Sequence, residues 1–148
     1  MNNHWKRGEY EISTDRSRID VDFVFGYLSN HSYWARGRQR EVVIRSIDNS
    51  LNFGIFTHGN QVGFARVVTD KATFAWLADV FVVEDHRDQG LGKWLVEVIT
   101  SHAELQGLRR WLLATKDAHE LYRQFGFREL DDPKRWMEIY DRSSELLR

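Results

Sequence analysis

The run Trp76-Leu77-Ala78-Asp79-Val80-Phe81-Val82-Val83 leads straight into Glu84-Asp85-His86-Arg87-Asp88-Gln89-Gly90-Leu91-Gly92-Lys93, and this stretch decides how the 148-residue chain folds. The most apolar window, Phe74 to Val83, is as long as a strand buried on both faces and too short to span a bilayer. Behind it a turn with two glycines opens a helical stripe of Leu91, Leu95, Val98, Ile99, His102 and Leu105, with Gly107 as its stop. The first amides of a helix lack internal partners and sit at the positive end of its dipole. Gly90 and Gly92 carry no Cβ, so a ligand can reach the backbone, and Arg87 and Lys93 add mobile positive charge. Residues Asp88, Gln89, Gly90, Leu91, Gly92 and Lys93 therefore read as a phosphate or pyrophosphate cradle. A glycine-rich helix start without a ligand is the competing reading. A triphosphate-binding loop is excluded, because Trp94 follows Gly92-Lys93 where Ser or Thr is needed. A dinucleotide fingerprint is excluded by the missing third small residue after Gly90-Leu91-Gly92.

On the N-terminal side, Glu9 to Thr14 reads as a first strand. Val21, Val24, Phe25 and Leu28 recur at helical spacing behind Asp20, a candidate N-cap. A polar and aromatic connection follows, and a second helix fits Arg38 to about Asn49. Leu51 to Thr57 and Gln61 to Thr69 flank His58-Gly59-Asn60 as a hairpin. On the C-terminal side, Arg110 to Thr115 reads as a short strand. Asp117-Ala118-His119-Glu120 reads as a capping box opening a short helix over Ala118 to Phe125. Phe127 to Leu130 and Trp136 to Tyr140 read as closing strands around Pro133.

With no repeat and no linker, residues 1–148 are expected to form one domain. The 21 basic and 22 acidic side chains nearly cancel, which argues against a nucleic-acid or acidic-membrane partner. The absence of Cys excludes disulfides, thiolate metal sites and a Cys nucleophile. The polar start Met1-Asn2-Asn3-His4-Trp5-Lys6-Arg7 has no apolar region of a signal peptide, so a cytoplasmic location is expected. The six His form no paired metal motif, and no metal is expected.

Arg87-Asp88-Gln89-Gly90-Leu91-Gly92 resembles the acyl-CoA signature [R/Q]-x-x-G-x-[G/A] of the GNAT acetyltransferase superfamily. Leu121-Tyr122-Arg123-Gln124-Phe125-Gly126-Phe127 resembles its second signature, L-Y-x-x-x-G-F. Both motifs occur in the family's order, joined by one helix and one strand. The resemblance implies an α/β fold with a mixed, mostly antiparallel central sheet flanked by helices, its central strands splayed to admit the pantetheine arm of acetyl-CoA. It implies that backbone groups of Phe81, Val82 and Val83 pair with that arm, while the amides from Asp88 to Lys93 hold the pyrophosphate. Many members place an Asn where this chain has Thr115; a hydroxyl can still hydrogen-bond there. Homodimers are common in the superfamily, so a homodimer is an expectation by resemblance.

Acetyl transfer needs a neutral amine, donors for the tetrahedral oxyanion and protonation of the departing thiolate. The resemblance makes Tyr122 the general acid; a core-packed Tyr is the alternative. Asp79 is the candidate base, because an acid inside an apolar strand needs a reason to be there. A structural ion pair with a nearby Arg is the alternative, and Glu84 is a weaker base. Tyr33, Trp34 and Arg38 are candidates for the acceptor pocket, since an Arg there can pair with a carboxylate or phosphate. The function expected is N-acetylation of a primary amine, on a small molecule or a peptide, by direct attack in a ternary complex. A non-catalytic acyl-CoA-binding module is the alternative.

Overall fold

Strand alternation and helical stripes sort the chain into a single sheet with helices on both faces. The computed structural model describes residues 3–141. Six strands follow in sequence order across the sheet: β1 (His4–Arg7), β2 (Tyr10–Ser13), β3 (Leu51–Thr57), β4 (Asn60–Thr69), β5 (Phe74–Val82) and β6 (Arg110–Leu113). All neighbours are antiparallel except β5 and β6, which run parallel. A parallel pair needs a crossover, and α3 (Leu91–Thr100) supplies it. Two helices, α1 (Val21–His31) and α2 (Arg40–Asp48), fill the connection from β2 to β3. A short helix, α4 (His119–Arg123), follows β6.

Two hydrophobic layers sandwich the sheet. On one face Leu95, Val96 and Ile99 of α3 pack with Ile55, Ala65 and Leu77, and Tyr122 joins this layer. On the other face Val24 and Leu28 of α1 and Val43 and Ile47 of α2 pack with Phe64 and Phe81. Phe53 and Phe64 are fully buried, each a contribution of about 1.5–3 kcal/mol. Asp20 caps α1 by accepting from the Phe23 amide at 3.0 Å. His58 and Gly59, both at positive φ, form the two-residue hairpin turn between β3 and β4.

Four sequence expectations differ from the structure. His4–Arg7 is a strand, paired antiparallel with β2, with Trp5 packed on Phe53 and His102 and charged neighbours that suit an edge. Helix α3 stops at Thr100, since the Thr100 and Ser101 hydroxyls bond back to the Val96 and Glu97 carbonyls; His102 and Leu105 belong to a separate 3-10 turn. Asp117 does not cap α4: the N-cap is Ala118, whose amide donates instead to Thr115 Oγ1 at 3.1 Å. Phe127–Leu130 and Trp136–Tyr140 join no ladder; a 3-10 turn at Pro133–Arg135 separates them, and Met137 and Ile139 stand in solvent.

Candidate active site

The site is built on a strand pair that comes apart. β5 and β6 pair only from Phe74/Arg110 to Leu77/Leu113. β5 then continues to Val82 with no neighbour on that side among the described residues. The divergence coincides with a bulge: the β4–β5 register shifts between Phe64 and Arg66, and Asp79 sits at φ 53°. A bulge bends its strand and strengthens its twist. The Val83 amide donates to the Val62 carbonyl at 2.9 Å, so by ladder alternation the Val82 N–H and C=O point toward the open side. The Phe81 side chain is not available there, because its ring stacks on Tyr27 at 3.9 Å within the α1 layer.

Beyond β5 the chain makes a 3-10 turn at Glu84–His86 and then the loop into α3. Asp88 (φ 64°) and Gly90 (φ 76°) take left-handed conformations that turn successive amides to one side. The amides of Asp88, Gln89, Gly90, Leu91, Gly92 and Lys93 donate to no acceptor among the described residues. A Cβ added at Gly90 or Gly92 would meet nothing within 4 Å. Gly92 has no positive φ, so neither backbone conformation nor protein packing explains it, and a glycine in a helix costs about 1 kcal/mol against Ala. Unpaired donors above open space fit a diphosphate.

The loop is braced from two sides. Tyr10 donates its hydroxyl proton to Gln89 Oε1 (3.1 Å) and lies 2.9 Å from His86 Nδ1, which must then be the donor of that pair. Arg87 is not a mobile charge as its place in the sequence suggested. Its Nε donates to the Val82 carbonyl at 2.8 Å and its Nη2 to the Tyr27 hydroxyl at 2.9 Å, which ties the end of β5 to α1. Lys93 is exposed.

Helix α4 follows β6. Tyr122 is 7% exposed, and burial, reinforced by Tyr33 and Asp117, pushes its phenol up to about 12. It packs edge-on to Phe127 and lines a cavity with Thr115 and His119. Thr115 spends its oxygen on the Ala118 amide, which leaves its own hydroxyl proton as the donor for a ligand. The connection between α1 and α2 is fastened over this region: the Tyr33 hydroxyl accepts from the Lys116 amide at 2.9 Å.

Asp79 holds the same connection from beneath. Its side chain is 2% exposed, and both oxygens are engaged. Oδ1 accepts from Trp34 Nε1 at 2.8 Å; Oδ2 accepts from Arg38 Nη1 at 3.0 Å and Arg66 Nε at 2.9 Å. Taking a proton as a base would remove the charge that pairs Asp79 with both Arg38 and Arg66. The geometry therefore supports the ion-pair reading of Asp79, with Trp34 and Arg38 as its cargo. Glu84 is exposed on the 3-10 turn beyond β5.

Sequence reasoning missed Arg66, Tyr10 and Tyr27. Arg66 carried a signal, a lone cation inside the apolar run Val62–Val68 that matches the lone acid of the next strand. Tyr10 carried none, because its partners lie 76 and 79 residues away. Among the described residues no three His, Asp or Glu side chains are grouped to hold a metal, and no helix is long and apolar enough to cross a membrane.

A splayed parallel pair and a loop of unpaired amides form the candidate site, with Tyr122 on the short helix after β6. Residues 48–129 match the family model described as an acetyltransferase (GNAT) domain, so the chain belongs to the GNAT family. Among its relatives is the Gibberella zeae protein FG08082, itself named for an acetyltransferase, 29% identical over an alignment covering 88% of each chain. A crystal structure of a GNAT-family protein from Xanthomonas campestris pv. campestris superposes with a TM-score of 0.88 at 46% identity, covering 89% of this chain and 93% of that one. A GNAT family acetyltransferase from Elizabethkingia anophelis, with acetyl-CoA bound, shares the fold at a TM-score of 0.63 and 14% identity, covering 91% and 90%.

Proposed function

We propose that this chain moves an acetyl group from acetyl-CoA to a primary amine by direct attack in a ternary complex. The observation that carries the reading is the row of unpartnered amides from Asp88 to Lys93, set beyond the end of a strand that has lost its neighbour. Those amides hold the diphosphate, and the open edge of β5 beyond Leu77 runs along the pantetheine arm. The Thr115 hydroxyl donates to the cofactor.

The acceptor nitrogen forms a bond to the acetyl carbon and gives up a proton to water, and the carbon–sulfur bond breaks with its electron pair going to sulfur, which is left as the protonated thiol. The Val82 N–H, on the open edge, donates to the oxyanion. Tyr122 stays protonated at every working pH, because its phenol titrates near 12. It can therefore donate to the sulfur as negative charge develops there. Tyr33, Trp34 and Arg38 line the acceptor side, held in place by Lys116 and Asp79. The amine must arrive neutral, and an alkylamine has a pKa of about 10, so turnover rises with pH.

Release of free thiol from acetyl-CoA, followed over a panel of primary amines, tests the reading. Tyr122→Phe is expected to lower kcat by about 100-fold or more, the usual size of an acid–base contribution, with acetyl-CoA affinity nearly unchanged. Acetyl-CoA binding without amine-dependent thiol release from any acceptor would favour a binding module instead.

A further inference from the structure

We propose that Arg38 and Arg66 form a subsite for a carboxylate on the acceptor, so that the amine acetylated here belongs to an amino-acid-like molecule. The subsite stands on charge and geometry; that its occupant is the acetyl acceptor rests on the function proposed above. Arg38 Nη1 and Arg66 Nε both donate to Asp79 Oδ2, at 3.0 and 2.9 Å. One carboxylate thus serves two guanidiniums, and one positive charge is left over. Among the described residues no other acid forms an ion pair with either. Both side chains are largely withdrawn from water, Arg38 at 25% and Arg66 at 14% exposure. A charge taken out of water is unfavourable unless it is paired.

The two guanidiniums also keep donors to offer. Arg38 uses Nη1 on Asp79, while Arg66 uses Nε on Asp79 and Nη1 on Ser50 Oγ at 3.1 Å. Nη2 of each residue has no acceptor among the described residues. The planar fork of a guanidinium matches a carboxylate with two parallel hydrogen bonds. Asp79 already holds both forks in place, so little side-chain freedom is lost when an anion binds.

The pair lies beside the acyl site. Asp79 is two positions beyond Leu77, the last β5 residue paired with β6. Arg38 belongs to the connection between α1 and α2, and Tyr33 of that connection is close enough to Tyr122 to help push its phenol up. Residues 33–40 hold three Arg and no acid. Arg36 is exposed and forms no ion pair among the described residues, and Lys116 Nζ lies 5.4 Å from the Tyr33 ring. The whole chain, in contrast, has a net charge of -1, so this concentration of positive charge is local. It attracts a carboxylate and repels a second ammonium. A carboxylated amine is therefore favoured over a diamine of the same length.

Thiol release from acetyl-CoA, followed with glycine, β-alanine and γ-aminobutyrate, each against its carboxamide, reads the preference. Each kcat/KM is taken per neutral amine, because the members of a pair differ in amine pKa. The carboxylate should be favoured by about 10-fold or more in at least one pair, the effect of one charge-assisted hydrogen bond. Phosphoethanolamine is the phosphate arm, and a kcat/KM above that of every carboxylate would overturn the choice of carboxylate. Arg38→Gln leaves Asp79 and Arg66 as a balanced pair, so the melting temperature should hold while the ratio falls to about one. A purely structural Arg38 would instead lower the melting temperature and leave the ratio, which would overturn the proposal. If the Gln variant does not fold, Arg38→Lys keeps the charge, loses the fork and should still lower the ratio. Arg40→Gln, which breaks an exposed pair with Asp22, should keep it. Calorimetry at saturating CoA, with each N-acetylated amino acid against its carboxamide, reads the subsite without turnover. Carboxylate-dependent binding there, with no thiol release from any amine, would sustain the subsite and sink the function. Thiol release with ratios near one in every pair would sink the subsite and leave the function standing.

Discussion

The Trp34 indole N–H lies 2.8 Å from Asp79 Oδ1, a contact that spans 45 positions of sequence and fastens the connection between α1 and α2 to the bulge in β5. Asp79 also balances Arg38 and Arg66 in a site it shares with few waters, since its side chain is 2% exposed. Removing one member of a buried ionic group leaves uncompensated charge and costs about 3–5 kcal/mol. Asp79→Asn is therefore expected to lower unfolding stability by about that amount, read from the urea midpoint. In the folded fraction it should raise KM for the amine far more than KM for acetyl-CoA, and it should leave the rise of kcat with pH in place. Loss of that rise would instead make Asp79 the base.

Gly92→Ala separates the needs of the fold from those of the ligand. The new methyl group meets no protein atom within 4 Å. Helix propensity favours Ala by up to about 1 kcal/mol, so the melting temperature should hold or rise. The same methyl projects toward the space assigned to the diphosphate, and KM for acetyl-CoA should rise by about 10-fold or more, the effect of about 1.4 kcal/mol. A variant both more stable and equally good at binding would show that the space above Gly92 serves no ligand.

His102 makes stability depend on pH. Burial holds its imidazole below the ordinary range, with nearby Lys71 adding to the effect and Glu104 opposing it. Its Nδ1 accepts from the Glu104 amide at 3.1 Å, and its ring packs against Trp5 and Phe53. The folded state favours the neutral ring, so the stabilisation is complete above the unfolded value of about 6.5 and is lost as pH falls below it. Urea unfolding should show stability falling by up to about 1.4 kcal/mol per pH unit there, and His102→Asn should flatten that slope. A wild-type midpoint constant from about pH 7 to 5 would contradict the assignment.

Elements whose residues satisfy one another locally were legible in the sequence. Asp20 and the stripe behind it gave α1, and the apolar run ending at Val83 gave β5. The turn into α3 was legible because its glycines sit where the strand gives way to a helix, and the structure places Gly90 at a positive φ there. Other features depend on distant partners. Arg87 looks free in sequence because Tyr27 is 60 positions away. Sequence leaves Asp79 open between a base and an ion pair, because its partners Arg38 and Arg66 lie 41 and 13 positions away. The closing strands follow alternation as a pattern, yet the described sheet has no strand after β6.

Whether the amides of Asp88–Lys93 hold a diphosphate is tested most directly by calorimetry with acetyl-CoA and with acetyl-pantetheine, which keeps the thioester arm and lacks the diphosphate. Each charge-assisted hydrogen bond is worth about 1.5–3 kcal/mol, so acetyl-pantetheine should bind at least about 100-fold more weakly. Equal affinity for the two, or no binding of acetyl-CoA, would contradict the account.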